Sequence, residues 1–405
     1  MADAPVRLYG YRWVVLAAFC FVNLTMQMLW IAYAPITGAA AAFYGVSDLA
    51  IGFLAMSFML AFIPLSIPAS WLIDTYGFRA AVGLGAVMMG VFGLIRGFAG
   101  AHYSVALVGT LGVAAAQPLF LNAWTKLPAQ WFAVHERASA VGVITLANLV
   151  GTGIGLALTP VLTETMSIAR VQLVYGAAAA ATSVFFLAVA RERPPTPASP
   201  PGHEVRALVK EGLRNALGIK ELWLYLFVAF VGMGIFNGIT TWIEGIVRPR
   251  GFSATQAGTL GAVMLLGSLF GAVAIPPISD RTRARRPFLV VGYVLAIPGL
   301  CGLAFARSYS GLLASGFGLG FFLVSTLPIG MQYAAEITQP TPEGTSAGII
   351  QLFGQASVVF VYVMEAMKTS DGSFTPSLVF AIGMMVVAAA LSTQLRERRV
   401  VVARA

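Results

Sequence analysis

The sequence predicts an all-α membrane protein, twelve transmembrane helices in two bundles of six, and three observations predict it. Of the 405 residues, 58% are hydrophobic and only 10% charged, against about 25% charged in an ordinary soluble domain. The apolar residues gather into twelve runs near the length of about 20 residues that a helix needs to cross a bilayer. A polar, proline-rich stretch then separates the runs six and six. The runs lack the apolar–polar alternation of barrel strands, so they read as helices.

In order, the runs lie at residues 11–36, 47–71, 80–99, 103–127, 137–162 and 170–190, then 222–247, 255–277, 287–306, 309–334, 345–367 and 374–394. They are numbered spans 1 to 12 below. Span 1 is too long for a signal peptide and has no small-residue cleavage site, so it is kept as a membrane helix. Between spans 6 and 7, the prolines after Arg191-Glu192-Arg193 make an extended linker, and residues 204–216 have the spacing of a short amphipathic helix lying on the membrane face. The expected organisation is a first bundle over 1–190, a cytoplasmic linker over 191–221 and a second bundle over 222–405. Cys20 and Cys301 lie inside apolar runs and read as small core residues.

Charge placement gives orientation. With the N-terminus cytoplasmic, 19 of the 25 lysines and arginines fall inside; the outer side receives Arg96, Arg170, Arg248, Arg250, Arg307 and Lys368. That asymmetry predicts both termini inside. The net charge of +9 is then a topology signal, and with no basic soluble domain, nucleic acid is excluded as a partner. The expected partners are a small-molecule substrate and the lipid bilayer, with the chain a monomer and no cofactor. The alanine-rich, short-looped style suggests a bacterial cytoplasmic membrane.

The halves echo each other. Span 2 leads into Asp74-Thr75-Tyr76-Gly77-Phe78-Arg79, and span 8 into Ser279-Asp280-Arg281-Thr282-Arg283. Two six-helix repeats with a central loop resemble the major facilitator superfamily, and Asp74, Gly77 and Arg79 resemble its cytoplasmic signature between helices 2 and 3. Ser70 and Thr75 depart from that pattern. The resemblance implies gating roles for Asp74, Gly77, Arg79, Asp280 and Arg281, with Asp74 pairing across the halves to hold an inner gate shut. His135-Glu136-Arg137 resembles the inner-loop charge cluster, and Arg137 joins the gating set. A solvated helix end is the plainer reading of Asp74.

Further segments are similar to one eukaryotic group of that superfamily, the feline leukaemia virus subgroup C receptor-related proteins, described as haem or choline transporters. They are Trp30-Ile31-Ala32-Tyr33, Phe43-Tyr44-Gly45-Val46, Phe58 to Pro64, Pro68 to Asp74, Ala116-Gln117, Leu327 to Gly330, Ala335-Glu336-Ile337-Thr338 and Glu343 to Gly348. The resemblance implies a choline site walled by aromatic faces of helices 1 and 7, with Trp30, Gln117 and Gln355 at matching positions. In Gly234-Ile235-Phe236-Asn237, Asn237 stands where the family places tyrosine, which removes one aromatic wall.

The residues themselves point the same way, since polar groups far from helix ends mark a substrate path. Gln27 and Trp30 lie three apart, on one helix face, with Tyr33 a turn beyond. Span 4 offers Gln117 and Asn122, and span 5 Asn148 and Thr152. Span 7 offers Phe236, Asn237, Thr240 and Thr241, and span 11 Gln351 and Gln355. Several have plainer readings: Gln27 and Asn148 as interhelical hydrogen bonds, Trp30 as an interfacial belt residue, Asn237, Thr240 and Thr241 as packing groups. The first half places no Asp, Glu, Lys, Arg or His at the centre of a span. Such a lining suits a neutral or quaternary cationic solute better than an anion. A proton-coupled exporter of drugs or carboxylates using Glu244, and a transporter-fold sensor, are the alternatives. His102, His135 and His203 are dispersed and make no metal site, and no nucleotide-binding loop occurs. No nucleophile–base or metal constellation lies within the spans, so the chain is not expected to be an enzyme.

Overall fold

A computed structural model describes residues 8–133, 136–196, 214, 216–282, 284–338 and 343–396. His135, His203, Arg283, the linker stretch 197–213 and most of the expected amphipathic helix lie outside the described residues. Every regular element among the described residues is helical. Twelve helices are long and apolar enough to cross a membrane: Arg12–Tyr44, Asp48–Tyr76, Phe78–Gly97, Tyr103–Trp131, Ser139–Thr165 and Ile168–Val189, then Lys220–Thr241, Ala254–Thr282, Arg286–Phe305, Tyr309–Ile337, Gly348–Ala366 and Thr375–Ser392. They follow the twelve apolar runs in order. Span 1 continues to Tyr44, beyond the run that ends at residue 36, because the small residues of Thr37–Tyr44 form an eight-residue helix of their own.

The chain divides into two compact units, Met1–Glu204 and Val205–Ala405. Within the first, span 1 packs on spans 5 and 6, span 2 on span 4, and span 3 on spans 4 and 6. Within the second, span 7 packs on 11 and 12, span 8 on 10, and span 9 on 10 and 12. The same pairings recur, element for element, so the sequence echo between the halves is a structural repeat.

Local chemistry sets the helix starts. Ser47, Ser167, Ser253 and Ser308 each accept a backbone N–H three residues on, capping spans 2, 6, 8 and 10; Ser253 and Gln256 form a full capping box, which satisfies amides that hydrocarbon would leave bare. Close crossings depend on glycine. A Cβ at Gly151 would overlap the Leu24 carbonyl of span 1, and one at Gly267 the Phe317 carbonyl of span 10. The outward faces stay apolar: Ile67 is 71% and Phe98 73% exposed, a surface that only acyl chains cover without penalty.

Several spans are interrupted. Span 1 is helical over Arg12–Ile31, passes through a tight turn over Ala34–Ile36 and resumes at Thr37. Span 4 breaks between Leu121 and Lys126, span 7 turns at Trp242, and the helix containing span 11 breaks at Ser357. Breaks of this kind free backbone groups at membrane depth, where they need partners.

Candidate functional site

The end of span 1 is held on two sides. Trp30, half-buried, donates its indole N–H to the Ala55 carbonyl of span 2 at 3.1 Å. Tyr33, 2% exposed, has its hydroxyl 2.9 Å from that of Tyr44. One face of its ring carries the Arg96 guanidinium at 4.5 Å. Tyr33 is therefore committed to the protein's own contacts. Arg96 is 1% exposed; it donates to the Leu29 carbonyl at 2.8 Å and to Gln172 Oε1 at 2.9 Å. Placed by charge counting at the outer rim, it lies instead inside the bundle.

The amides of the first unit differ in their commitments. Asn122, just beyond the last turn of the long helix of span 4, donates to the Ser66 carbonyl at 2.8 Å, the Ser66 hydroxyl at 3.1 Å and the Ser70 hydroxyl at 3.0 Å. It ties span 4 to span 2. Gln117 is 5% exposed, and its buried Oε1 has no hydrogen-bond partner among the described residues. The buried Asn148 Nδ2 is likewise unmatched. Gln27 is 5% exposed and makes no side-chain hydrogen bond among the described residues. One asparagine on span 1 outside the expected set, Asn23, accepts from Trp124 Nε1 at 2.7 Å and donates to the Phe19 carbonyl at 2.8 Å. Thr152 returns its hydroxyl to the Asn148 carbonyl at 3.1 Å.

In the second unit Asn237 donates to the Ser357 hydroxyl at 3.4 Å, at the break in the helix of span 11. Phe236 is half-buried and Thr241 buried; Thr240 returns its hydroxyl to the Phe236 carbonyl. Gln351 and Gln355 are half-buried and make no side-chain hydrogen bond among the described residues. Glu244 is 6% exposed, on the short helix that follows the turn of span 7 at Trp242, with Arg248 Nη1 3.4 Å from its carboxylate.

The loop ends show what the sequence motif does locally. Asp74 pairs with Lys126 of its own unit at 3.1 Å. Gly77 has φ +91°, and a Cβ there would overlap the Glu192 carboxylate. Glu192 accepts the Phe78 and Arg79 amides at 2.9 and 2.6 Å, capping the start of span 3, and also Gln130 Nε2 at 3.2 Å. It joins the starts or ends of three elements from what the sequence offered only as linker. Arg137 donates to the Ala129 and Phe132 carbonyls, while Glu136 pairs with Arg12 at 2.9 Å. In the second unit Asp280 pairs with Arg285 at 2.5 Å, and Arg285 also reaches Glu336 at 3.1 Å; Arg281 is exposed. Burial opposes the charge on Arg285, but the hydrogen bonds and charges of Asp280 and Glu336 outweigh it and raise its pKa above the ordinary value. Four arginines within six residues gave the sequence no means of picking Arg285. The signal for Glu336 was its place at the end of span 10, as Lys126 lies near the end of span 4.

The sequence matches the Major Facilitator Superfamily over residues 15–362 and 243–403. It is 30% identical over 395 residues to solute carrier family 49 member A3 of Xenopus tropicalis, covering 92% of this chain and 81% of that protein. It is 28% identical over 398 residues to the choline/ethanolamine transporter FLVCR1 of Felis catus, covering 92% and 70% respectively. In fold it is similar to a bacterial homolog of the human lysosomal transporter Spinster, with TM-score 0.77 and 16% identity over 96% of this chain and 98% of that one. The nucleoside transporter NupG gives 0.72 and 11% over 95% and 100%. The chain is a multi-pass membrane protein and not an enzyme; it belongs to the major facilitator superfamily, in the branch that holds solute carrier family 49 member A3 and FLVCR1.

Proposed function

We propose that the chain is a facilitative carrier for a small amino alcohol or quaternary amine of the choline type, working by alternating access. The observation that carries the reading is the buried Gln117 Oε1, an acceptor that nothing among the described residues satisfies. Leaving it bare costs about 1–3 kcal/mol, so a solute hydroxyl or ammonium that donates to it is favoured. Among the described residues, the carboxylates of the first unit, Asp48, Asp74, Glu136, Glu164 and Glu192, lie at helix ends or in loops. A cation there relies on aromatic faces, and Trp30 offers one; such a contact is worth about 2 kcal/mol when desolvated. Within the first unit the proposed substrate residues are Trp30, Gln27, Gln117 and Asn148; within the second, taken by itself, they are Phe236, Thr241, Gln351 and Gln355. The relatives named for choline and ethanolamine support the substrate class.

Glu244 has a cation partner in Arg248, which favours a facilitator over a carrier that cycles a proton on that carboxylate. Asp74, Gly77, Arg79, Arg137, Asp280 and Arg281 are proposed to gate, with both termini on the cytoplasmic side of a bacterial membrane and the chain acting as a monomer. Thermal-shift binding with choline, ethanolamine, betaine and small carboxylates, on the wild type and on Trp30→Ala, tests the reading. Stabilisation by the amines, lost in the variant, is expected. Stabilisation by carboxylates alone, indifferent to the substitution, would reject it.

A further inference from the structure

Arg96 is an expensive residue where it stands. It is 1% exposed, forms no ion pair with a carboxylate among the described residues, and its Nη2 is buried without a partner. Burying a charge without a counter-ion is strongly unfavourable. An apolar side chain would fill the space at lower cost, so the guanidinium must be repaid by what it touches. Its contacts converge on one place. Nη1 donates to the Leu29 carbonyl, two residues before the end of the helix Arg12–Ile31. The last carbonyls of a helix lack intrahelical donors and carry the negative end of its dipole. The guanidinium carbon lies over the Tyr33 ring at 4.5 Å, two residues past that end, and Nε reaches Gln172 on span 6. Few side chains other than arginine offer a planar fork that can donate to two acceptors and stack at once. One residue on from Leu29, Trp30 is fastened to Ala55 on span 2.

We propose that Arg96 is a positioning residue for substrate binding: by its charge and fork it holds the broken end of span 1, and through that end sets the place of Trp30. The proposal rests on the reading of Trp30 as the aromatic wall. It makes the buried cation a brace for the site rather than a topology marker, and it explains why Tyr33 faces the arginine instead of the solute.

The test is uptake of labelled choline and ethanolamine into proteoliposomes, with hydrogen–deuterium exchange of the segment 29–37, for the wild type, R96Q, R96K, W30A and the double variant. R96Q is expected to raise KM by about tenfold with Vmax changed less than about twofold, and to speed exchange of the segment by about tenfold. R96K, a point charge without the fork, restores only part of the affinity. The double variant binds no worse than W30A, since both act through one group. Unchanged exchange, or full additivity with W30A, overturns the proposal. Should R96Q not fold, Gln172→Leu loosens one of the arginine's two anchors, and the same segment is expected to exchange about threefold faster; no change there overturns it equally. If the wild type takes up neither amine yet R96Q speeds exchange, the brace stands and the substrate reading falls. Uptake with unchanged exchange sinks the brace and leaves the substrate reading standing.

Discussion

At the scale of single residues, the informative distinction is between polar groups already satisfied and those left open. Asn122, Asn23 and Tyr33 are spent on the protein: each has its partners within hydrogen-bond distance. Gln117 and Asn148 are not. This separates two side chains that look alike in sequence and gives opposite predictions. Gln117→Leu removes an unsatisfied acceptor, so thermal stability holds or rises slightly while amine affinity falls by about tenfold. Asn122→Leu removes the amide whose two N–H groups are shared among three acceptors on span 2, so it lowers stability by about 1–2 kcal/mol. A thermal-melt and ligand-shift pair on the two variants separates them; a Gln117→Leu protein that binds choline as tightly as the wild type contradicts the assignment. The sequence could mark these amides as unusual at membrane depth, but whether each finds a partner depends on neighbours from other spans. Asn122, for example, reads as a substrate residue until Ser66 and Ser70 are seen beside it.

At the scale of elements, the loop after span 2 is a capped junction. Gly77 adopts a left-handed φ of +91°, and Glu192 supplies the carboxylate that receives the first amides of span 3. A side chain at position 77 meets both the backbone strain, about 1–2 kcal/mol, and the Glu192 carboxylate. Gly77→Ala is expected to destabilise by about 2 kcal/mol or more, and Glu192→Ala by about 1 kcal/mol through loss of the cap. Equilibrium unfolding in detergent checks both, and a neutral Gly77→Ala would contradict the account of the loop. Gly77 was legible in the sequence because a motif surrounds it. Glu192 was not, because a charge triplet at the start of a proline-rich stretch carries no sign of which helix start lies 114 residues back in the chain and adjacent in space. The twelve spans themselves were legible for a simple reason: hydrocarbon demands long apolar runs, and nothing else in the chain competes with that signal. The break within span 1 was not, since Ala34-Pro35-Ile36 is as apolar as what precedes it.

At the scale of the whole molecule, two units with the same internal pairing of spans, membership of a transporter superfamily and a first unit whose described carboxylates lie at helix ends or in loops support the proposed facilitator, which would need no bound nucleotide and no proton on a buried acid. The direct measurement is uptake of labelled choline and ethanolamine into proteoliposomes with no imposed ion gradient, followed across pH 6 to 8 in the wild type and in Glu244→Gln. The account predicts saturable uptake with counterflow, a rate that changes less than about twofold over that range, and a Glu244→Gln protein that still transports. Uptake that appears only under a proton gradient and vanishes in Glu244→Gln would contradict it, and would make Glu244 the coupling residue of an exchanger.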